Sequence, residues 1–464
     1  MKKALQIKVV GLVQGVGFRP FVYRLAETLS LTGWVFNSSE GVKIYLEGSE
    51  ENLLSFLEKL KKEAPPLSQI YHLEIQEVPY EGLEDFKILK SEEKGKIELD
   101  ILPDLGICKD CLLELFQKED RRYRYPFITC VNCGPRFSIL EKIPYERENT
   151  TMKFFQLCPS CKEEYENPLN RRFHAEPIAC PVCGPYLELY SVEGAKLASS
   201  EKALELSQKY LKEGKILAVK GLTGFHLVAR ADDPQVIEIL RSRKRRSKKP
   251  FAVMFRDITQ LENYVELTDE DKRLLLSPQA PILLLPDKGL LPANLNEGLN
   301  TLGVFLPYTP LHHLLLKDLS FPLIVTSGNF SDEPIVYENE EALSKLSQIA
   351  DYLLLHNRPI KRGLDDSVIK RSGTLYIFIR RARGYTPLPI FLKLRTKKVI
   401  LAVGAQERNT FSLAFKNKII SSHHLGDIED LISLSHFERS VYDFLKLYGI
   451  WPEIIVSDLH PRYE

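Results

Sequence analysis

Apolar and polar residues in positions 1–90 follow two different periods. Leu5, Ile7 and Val9 recur at every second position, as in a half-buried strand, whereas Phe18, Phe21, Val22, Leu25, Ala26 and Leu29 fall on one face of a helix. "GWVFNSS" and "GVKIYLEG" read as paired strands around a Ser39-Glu40-Gly41 turn. Leu53, Leu54, Leu57 and Leu60 mark a second helix, and "HLEIQEV" and "DFKILK" read as closing strands. Residues 91–106, "SEEKGKIELDILPDLG", form a charged linker. From about 198 to 388, strand patterns such as "KILAVKG", "PFAVMF", "LIVTSGN" and "LYIFIRRA" alternate with helical stretches near 201–213, 234–245 and 338–349, which predicts an α/β unit. After "YTPLPIFL" the strand "KVILAVG" opens a fourth unit. Its two or three strand patterns and single helix are too little for the sheet that they begin, so a truncated chain or a split gene is expected.

The β-α-β-β-α-β order of residues 1–90 is the ferredoxin-like arrangement. A chain of 464 residues exceeds one ordinary domain. With 44% hydrophobic and 27% charged residues and a formal net charge of +1, it has the composition of a soluble globular protein without bulk attraction to nucleic acid or anionic membrane. "MKK" opens like a secretory leader, but Gln6 and Lys8 interrupt the apolar stretch, and no apolar run approaches the roughly 20 residues of a membrane span. A cytoplasmic protein is expected, with neither nucleic-acid nor membrane partners.

All eight cysteines lie in C-x-x-C pairs: Cys108/Cys111, Cys130/Cys133, Cys158/Cys161 and Cys180/Cys183. They form an internal repeat, C-x2-C-x18-C-x2-C, whose second copy lies 50 residues after the first. Thiolates two residues apart chelate one face of a tetrahedral ion, so two structural zinc ions are expected, the first on Cys108, Cys111, Cys130 and Cys133 and the second on the other four. Interleaved pairing between the copies is the rival arrangement. His174, in "RRFHAEP", is expected beside a cluster or at an interface, because four thiolates already complete each ligand set.

"VVGLVQGVGFRPFVYRLA", residues 9–26, puts glycines directly before a helix that carries an arginine in its first turn. Bare amides at a helix N-terminus suit a phosphate. Gly11, Gly15 and Gly17 allow close backbone approach, Arg19 supplies a bidentate fork, and the Asn37 amide can hold a water. A tight turn with an exposed arginine is the alternative. The stretch, with "GWVFNSSEGVKIYLEG" after it, resembles the acylphosphatase family, which implies catalytic roles for Arg19 and Asn37.

"RSRKRRSKKP", residues 241–250, holds seven basic residues in ten and ends a helix just before a buried-looking strand. A solvated helix end is the plain reading; a triphosphate site is the functional one. "TSGN" follows another strand, where ligand loops lie in α/β sheets, and offers Ser327 and Asn329. Together these motifs resemble the YrdC-like domain shared with threonylcarbamoyl-AMP synthases. The resemblance implies a nucleotide site at Lys244, Arg246, Lys249, Ser327 and Asn329, with Lys220 of "AVKGLTGFHL" beside them. Asp365 and Asp366 of "LDDSV" suit either a magnesium ion or a strand cap.

The order of modules, continued by "LAVGAQERNTF" and "HHLGDIED", resembles the HypF family of carbamoyltransferases of NiFe-hydrogenase maturation. The fold class implied is multidomain α/β and α+β: an acylphosphatase-like domain (1–90), a double four-cysteine zinc finger (107–186), a YrdC-like domain (198–388) and the start of an actin/sugar-kinase-like carbamoyltransferase domain (398–464). The activity implied is hydrolysis of carbamoyl phosphate, then formation of carbamoyl-adenylate from ATP with magnesium, for carbamoylation of the C-terminal cysteine of HypE. On this reading the present chain makes the adenylate and does not complete the transfer. A tailoring O-carbamoyltransferase, tRNA threonylcarbamoyl-AMP synthesis and an RNA-binding platform are the alternatives; the first two need no acylphosphatase unit, and the near-zero net charge argues against the third. His423 and His424, neighbours on a loop, read as polar surface rather than as metal ligands.

Overall fold

The computed structural model describes residues 2–38, 40–65, 67–90, 100–331 and 333–460. Ser39 of the expected turn and residues 91–99 of the linker lie outside them. The first unit runs β1 (Lys2–Leu12), α1 (Phe18–Thr28), β2 (Thr32–Ser38), β3 (Gly41–Ser49), α2 (Glu50–Lys62), β4 (Gln69–Val78) and β5 (Phe86–Ile88). Its sheet order is β4-β1-β3-β2-β5, with the ferredoxin-like core antiparallel and β5 added parallel to β2. Ile7, Val9, Val35, Ile44 and Leu46 from the strands meet Val22, Leu25, Leu53 and Phe56 from the helices in one core, as the two periods predict.

The cysteine repeat is built on α3 (Lys109–Phe116) and α4 (Pro159–Glu166), preceded at their N-caps by Cys108 and Cys158. Next come β6 (Leu187–Ser191), β7 (Lys196–Ser199), α5 (Ser200–Lys212), β8 (Leu217–Lys220), β9 (Phe225–Arg230), α6 (Pro234–Arg243), β10 (Ala252–Met254), α7 (Ile258–Leu261), α8 (Asp269–Leu275), β11 (Ile282–Pro286), β12 (Thr301–Phe305), α9 (Pro310–Leu316), β13 (Leu323–Ser327), α10 (Asn339–Lys345), β14 (Tyr352–His356), β15 (Val368–Ser372) and β16 (Leu375–Arg380). These strands form one mixed sheet, β16-β15-β11-β12-β10-β13-β9-β8-β14-β6-β7. Its middle strands are buried on both faces, so they read as continuous apolar runs rather than alternating ones. The last unit, β17 (Ile390–Phe391), β18 (Ile400–Ala402), β19 (Ser412–Phe415), β20 (Lys418–Ser421), α11 (Leu431–Tyr448) and β21 (Ile454–Val456), is a second five-stranded sheet against one helix. Among the described residues no helix is long and apolar enough to cross a membrane.

The units share cores. Ile139 and Met152 of the finger region pack in the cluster that holds Leu217 and Leu354 of the large sheet. Phe137, Leu364 and Phe444 join fingers, large sheet and last unit. Arg362 fastens that junction, donating to Asp443 and to the Phe137 and Leu140 carbonyls.

Candidate functional site

The first candidate site lies where β1 hands over to α1. Gly17 is the N-cap in a left-handed conformation (φ 76°), and no side chain caps the helix. The first-turn amides are therefore available to an anion. Gly15 is also left-handed, and Cβ atoms at Gly15 and Gly17 would come within 3.1 Å of Tyr145 and Val131, so the loop lies flush against the finger region. Gly11 plays another part than expected: it lies within β1 at a register shift, and a Cβ there would come within 2.1 Å of the Gln69 carbonyl oxygen. Its freedom serves the sheet, not a ligand.

Arg19 and Asn37 meet. Both are buried, and with the Asn37 amide oxygen toward the guanidinium it accepts from Nε at 3.1 Å and Nη2 at 3.2 Å. Gln14 ties the loop to the β2–β3 connection by donating to the Ser38 carbonyl at 3.0 Å. Arg19 opens onto a cleft of about 1180 Å³ whose opposite wall comes from the finger region, including Arg147, Tyr165, Phe173 and His174. His174 is thus interfacial, its ring tilted against that of Tyr165 at 4.9 Å and edge-on to that of Phe173 at 4.5 Å between centroids.

The eight thiols form two groups, each drawn from one copy of the repeat. Sγ atoms stand 3.6 Å apart for Cys108–Cys130 and Cys111–Cys133, 3.9 Å for Cys130–Cys133, and 3.7 Å for Cys158–Cys180 and Cys180–Cys183. A zinc ion with four ligands at ~2.3 Å sets tetrahedral edges of about 3.8 Å, so both groups fit zinc, and the interleaved pairing is excluded. The copies are tied crosswise. Arg121 donates to Cys161 Sγ at 2.9 Å and Arg122 to Glu164 at 3.2 Å; 50 residues on, Arg171 donates to Cys111 Sγ at 3.1 Å and Arg172 to Glu114. Each arginine pair therefore neutralises the other finger's thiolate cluster, which makes the fingers a pseudo-twofold pair.

The large sheet carries the third site, a cavity of about 510 Å³ lined by Lys244, Arg246, Lys249, Ser327 and Asn329. Lys244, at the C-terminus of α6, is fully buried, and its ammonium donates to the carbonyls of Ser327 and Asn329 at 2.7 Å and to Asn329 Oδ1 at 2.6 Å. Ser327 Oγ donates to the same Oδ1 at 2.8 Å. The basic tract divides its labour: Arg241 donates to the carbonyls of Arg246 and Lys249, and Arg243 pairs with Asp351, bracing the loop from outside. Lys220 does not join this cavity. It lines a separate one of about 30 Å³ with Gly221, Tyr308, His356 and Arg358, donating to Asn339 Oδ1 at 2.6 Å, and burial and then the Arg358 charge pull its pKa to about 7.

Asp366 of "LDDSV" serves as an ion-pair partner, a role neither expectation gave it, and Asp365 lines the 510 Å³ cavity with it. Asp366 receives Arg383 Nε at 2.6 Å and stands 3.2 Å from His226 Nε2. Burial raises its pKa, but Arg383 and His226 outweigh it and hold the group well below the carboxylate range. His423 and His424 are not polar surface: His423 is buried, and both line the 510 Å³ cavity, where burial pulls their pKa values to about 3 and about 4. The last unit packs over the large sheet and closes the cavity, a contact that no local pattern announces. His226, in "GFHLVAR", showed only strand periodicity.

Family models match the chain in series: Acylphosphatase over residues 5–88, HypF finger over 107–140 and 157–190, Telomere recombination over 209–382, and HypF Kae1-like domain over 395–464. An acylphosphatase of Thermotoga petrophila is 45% identical over 87 residues, which cover 96% of its length and 18% of this chain. The class is therefore an acylphosphatase unit built into a larger finger-bearing α/β protein. Carbamoyltransferase HypF of Rhodobacter capsulatus is 44% identical over 464 residues, 99% of this chain and 61% of its own length. A crystal structure of full-length HypF in the phosphate- and nucleotide-bound form superposes with a TM-score of 0.96 at 45% identity, covering 100% of this chain and 61% of that one. The chain belongs to the HypF family and spans 61% of the length of these two relatives.

Proposed function

We propose that this chain hydrolyses carbamoyl phosphate and activates the released carbamate as carbamoyl-adenylate, the donor for carbamoylation of the C-terminal cysteine of HypE in the synthesis of the hydrogenase's cyanide ligands. The observation that carries the reading is the Arg19–Asn37 contact at an uncapped helix N-terminus, with Arg19 opening onto a cleft walled by the same fingers that pack on the large sheet. At the first site, Arg19 and the α1 amides hold the phosphoryl oxygens while Asn37 orients the attacking water. Carbamate passes inward under cover of protein, which excludes the water that would compete for it. At the large-sheet cavity a carbamate oxygen attacks the α-phosphorus of magnesium ATP, and the bond to pyrophosphate breaks. Arg246 and Lys249 meet the phosphates, Ser327 and Asn329 the nucleotide, and Lys244 fixes the loop that carries them; Lys220, in its own cavity, serves the approach of the anion. Zinc supplies a crosslink and no chemistry, since four thiolates leave no open position. Work in the cytoplasm and the unit boundaries 1–90, 107–186, 198–388 and 398–464 belong to the same proposal. Tailoring and tRNA-modifying roles are disfavoured because neither uses an Arg19–Asn37 site.

Release of inorganic phosphate from carbamoyl phosphate tests the first step. Wild type is expected to turn over and Arg19→Ala to lose ~10²–10³-fold, the usual cost of removing one oxyanion-binding group. Equal rates would overturn the assignment.

A further inference from the structure

His226 lines the 510 Å³ cavity and packs beside Gly221 of the 30 Å³ one. In the antiparallel pairing of β9 with β13 it stands directly opposite Ser327, so its side chain shares a face with that of Ser327. Its ring lines the 510 Å³ cavity with Lys244 and Asn329. On its other side is Gly221, which lines the 30 Å³ cavity, and a Cβ at Gly221 would come within 3.1 Å of His226 Nδ1. The residue is 4% exposed, and Nδ1 has no hydrogen-bond partner among the described residues.

Its orientation is set from behind. Nε2 faces Asp366 Oδ2 at 3.2 Å, an arrangement that suits the Nε2–H tautomer, in which Nδ1 is an acceptor. Asp366 is held in turn by Arg383, whose Nη1 and Nη2 donate to the carbonyls of Gln279 and Ala280 at 3.0 and 2.8 Å and whose guanidinium lies 3.6 Å from the Tyr308 ring centroid. A fully buried arginine thus holds a carboxylate, and the carboxylate holds an imidazole whose bare, buried nitrogen lies beside Gly221. Such an arrangement is costly unless the free acceptor finds a donor in a ligand.

We propose that His226 selects the acyl half of the adenylate: Nδ1 accepts a hydrogen bond from the carbamoyl N–H, and Asp366 and Arg383 are positioning residues that hold the ring with Nε2 toward the carboxylate. The proposal rests on the adenylation reading above and adds the residue that tells a carbamoyl group from an acyl group of the same shape without a donor. A site with a committed acceptor discriminates strongly against an analogue that lacks the donor.

The test is calorimetric binding of three probes to the 464-residue chain: AMP, 5′-O-(N-carbamoylsulfamoyl)adenosine and its N-acetyl counterpart, in which methyl replaces the amino group. Wild type is expected to prefer the carbamoyl probe by about tenfold or more. His226→Phe, which keeps a ring and removes the acceptor, is expected to bind both acyl probes equally; His226→Gln, which keeps an acceptor, retains part of the preference. AMP affinity stays within about twofold in both variants, which also reports that they are folded. An undiminished preference in His226→Phe, or AMP affinity falling in step with that of the carbamoyl probe, would overturn the role of His226. A wild-type chain without preference would do so even if the phenylalanine variant did not fold. A wild-type chain that bound none of the probes would overturn the adenylation reading and this inference with it.

Discussion

Replacing Lys244 by methionine separates two roles that a lysine in a basic tract can have. As a phosphate ligand, Lys244 would cost affinity for ATP and leave the apo protein unharmed. The structure places its ammonium instead against two carbonyls and the Asn329 amide oxygen, within a fully buried side chain. Methionine matches the length and removes the donor, so two backbone acceptors lose their charged partner. At ~1–3 kcal/mol per buried acceptor left unsatisfied, offset by the ammonium's relieved desolvation, we expect a net loss of about 2–4 kcal/mol, localised in the 327–331 loop. Local opening follows free energy, so amide exchange there should accelerate by ~30- to 1000-fold, with Gly328, whose amide is held by the Phe225 carbonyl, as the reporter. Hydrogen–deuterium exchange of the nucleotide-free protein, read by mass spectrometry on peptides across 320–335, measures it. Unchanged exchange with ATP affinity lost would refute the clamp and make Lys244 a phosphate ligand.

Further expectations concern the other sites. Asn37→Ala should lower phosphate release from carbamoyl phosphate by about 10²-fold or more while leaving AMP binding intact; comparable activity would remove Asn37 from the site. Metal analysis should find two zinc ions per chain, and Cys130→Ser should release one of them. Arg122→Met leaves Glu164 with Arg121 alone and should cost ~2–4 kcal/mol of stability, seen as a lower melting temperature with zinc still bound. Asp366 has its folded pKa depressed, so its stabilisation is present above its unfolded value of about 4 and is lost as pH falls below it. Asp366→Asn should therefore flatten the fall of melting temperature with acid below about pH 4, and an unchanged slope would contradict the pairing with Arg383.

What was legible in the chain was what local pattern or exact repetition writes down. Strand and helix periods near Ile7 and Val22 specify the first unit because each element buries one face against its sequence neighbours. The shift of 50 residues between cysteine copies likewise announces two four-thiol sites, but whether each site draws on one copy or on both needed the coordinates. The crosswise clamps were written in the same shift, since Arg121 and Arg122 recur as Arg171 and Arg172, and Glu114 as Glu164; only the direction of the contacts needed coordinates. Contacts across the fold left no such trace. His226 and Asp366 are 140 positions apart and meet only because β9 and the segment before β15 reach the same cavity. His423 and His424 looked like loop polarity because the surface that buries them belongs to another unit. Lys220 was grouped with Lys244 by motif order, whereas β8 directs it into the cavity beside the fingers.

The central claim is that two chemical sites in this chain act in sequence, and carbamoyl-phosphate-dependent ATP–pyrophosphate exchange tests it most directly. Zinc-loaded wild-type chain and Arg19→Ala are incubated with ATP, magnesium, labelled pyrophosphate and carbamoyl phosphate. Exchange is expected only when carbamoyl phosphate is present, and is abolished in Arg19→Ala although that variant still binds AMP. Exchange that proceeds without carbamoyl phosphate, or that persists undiminished in Arg19→Ala, would contradict the claim.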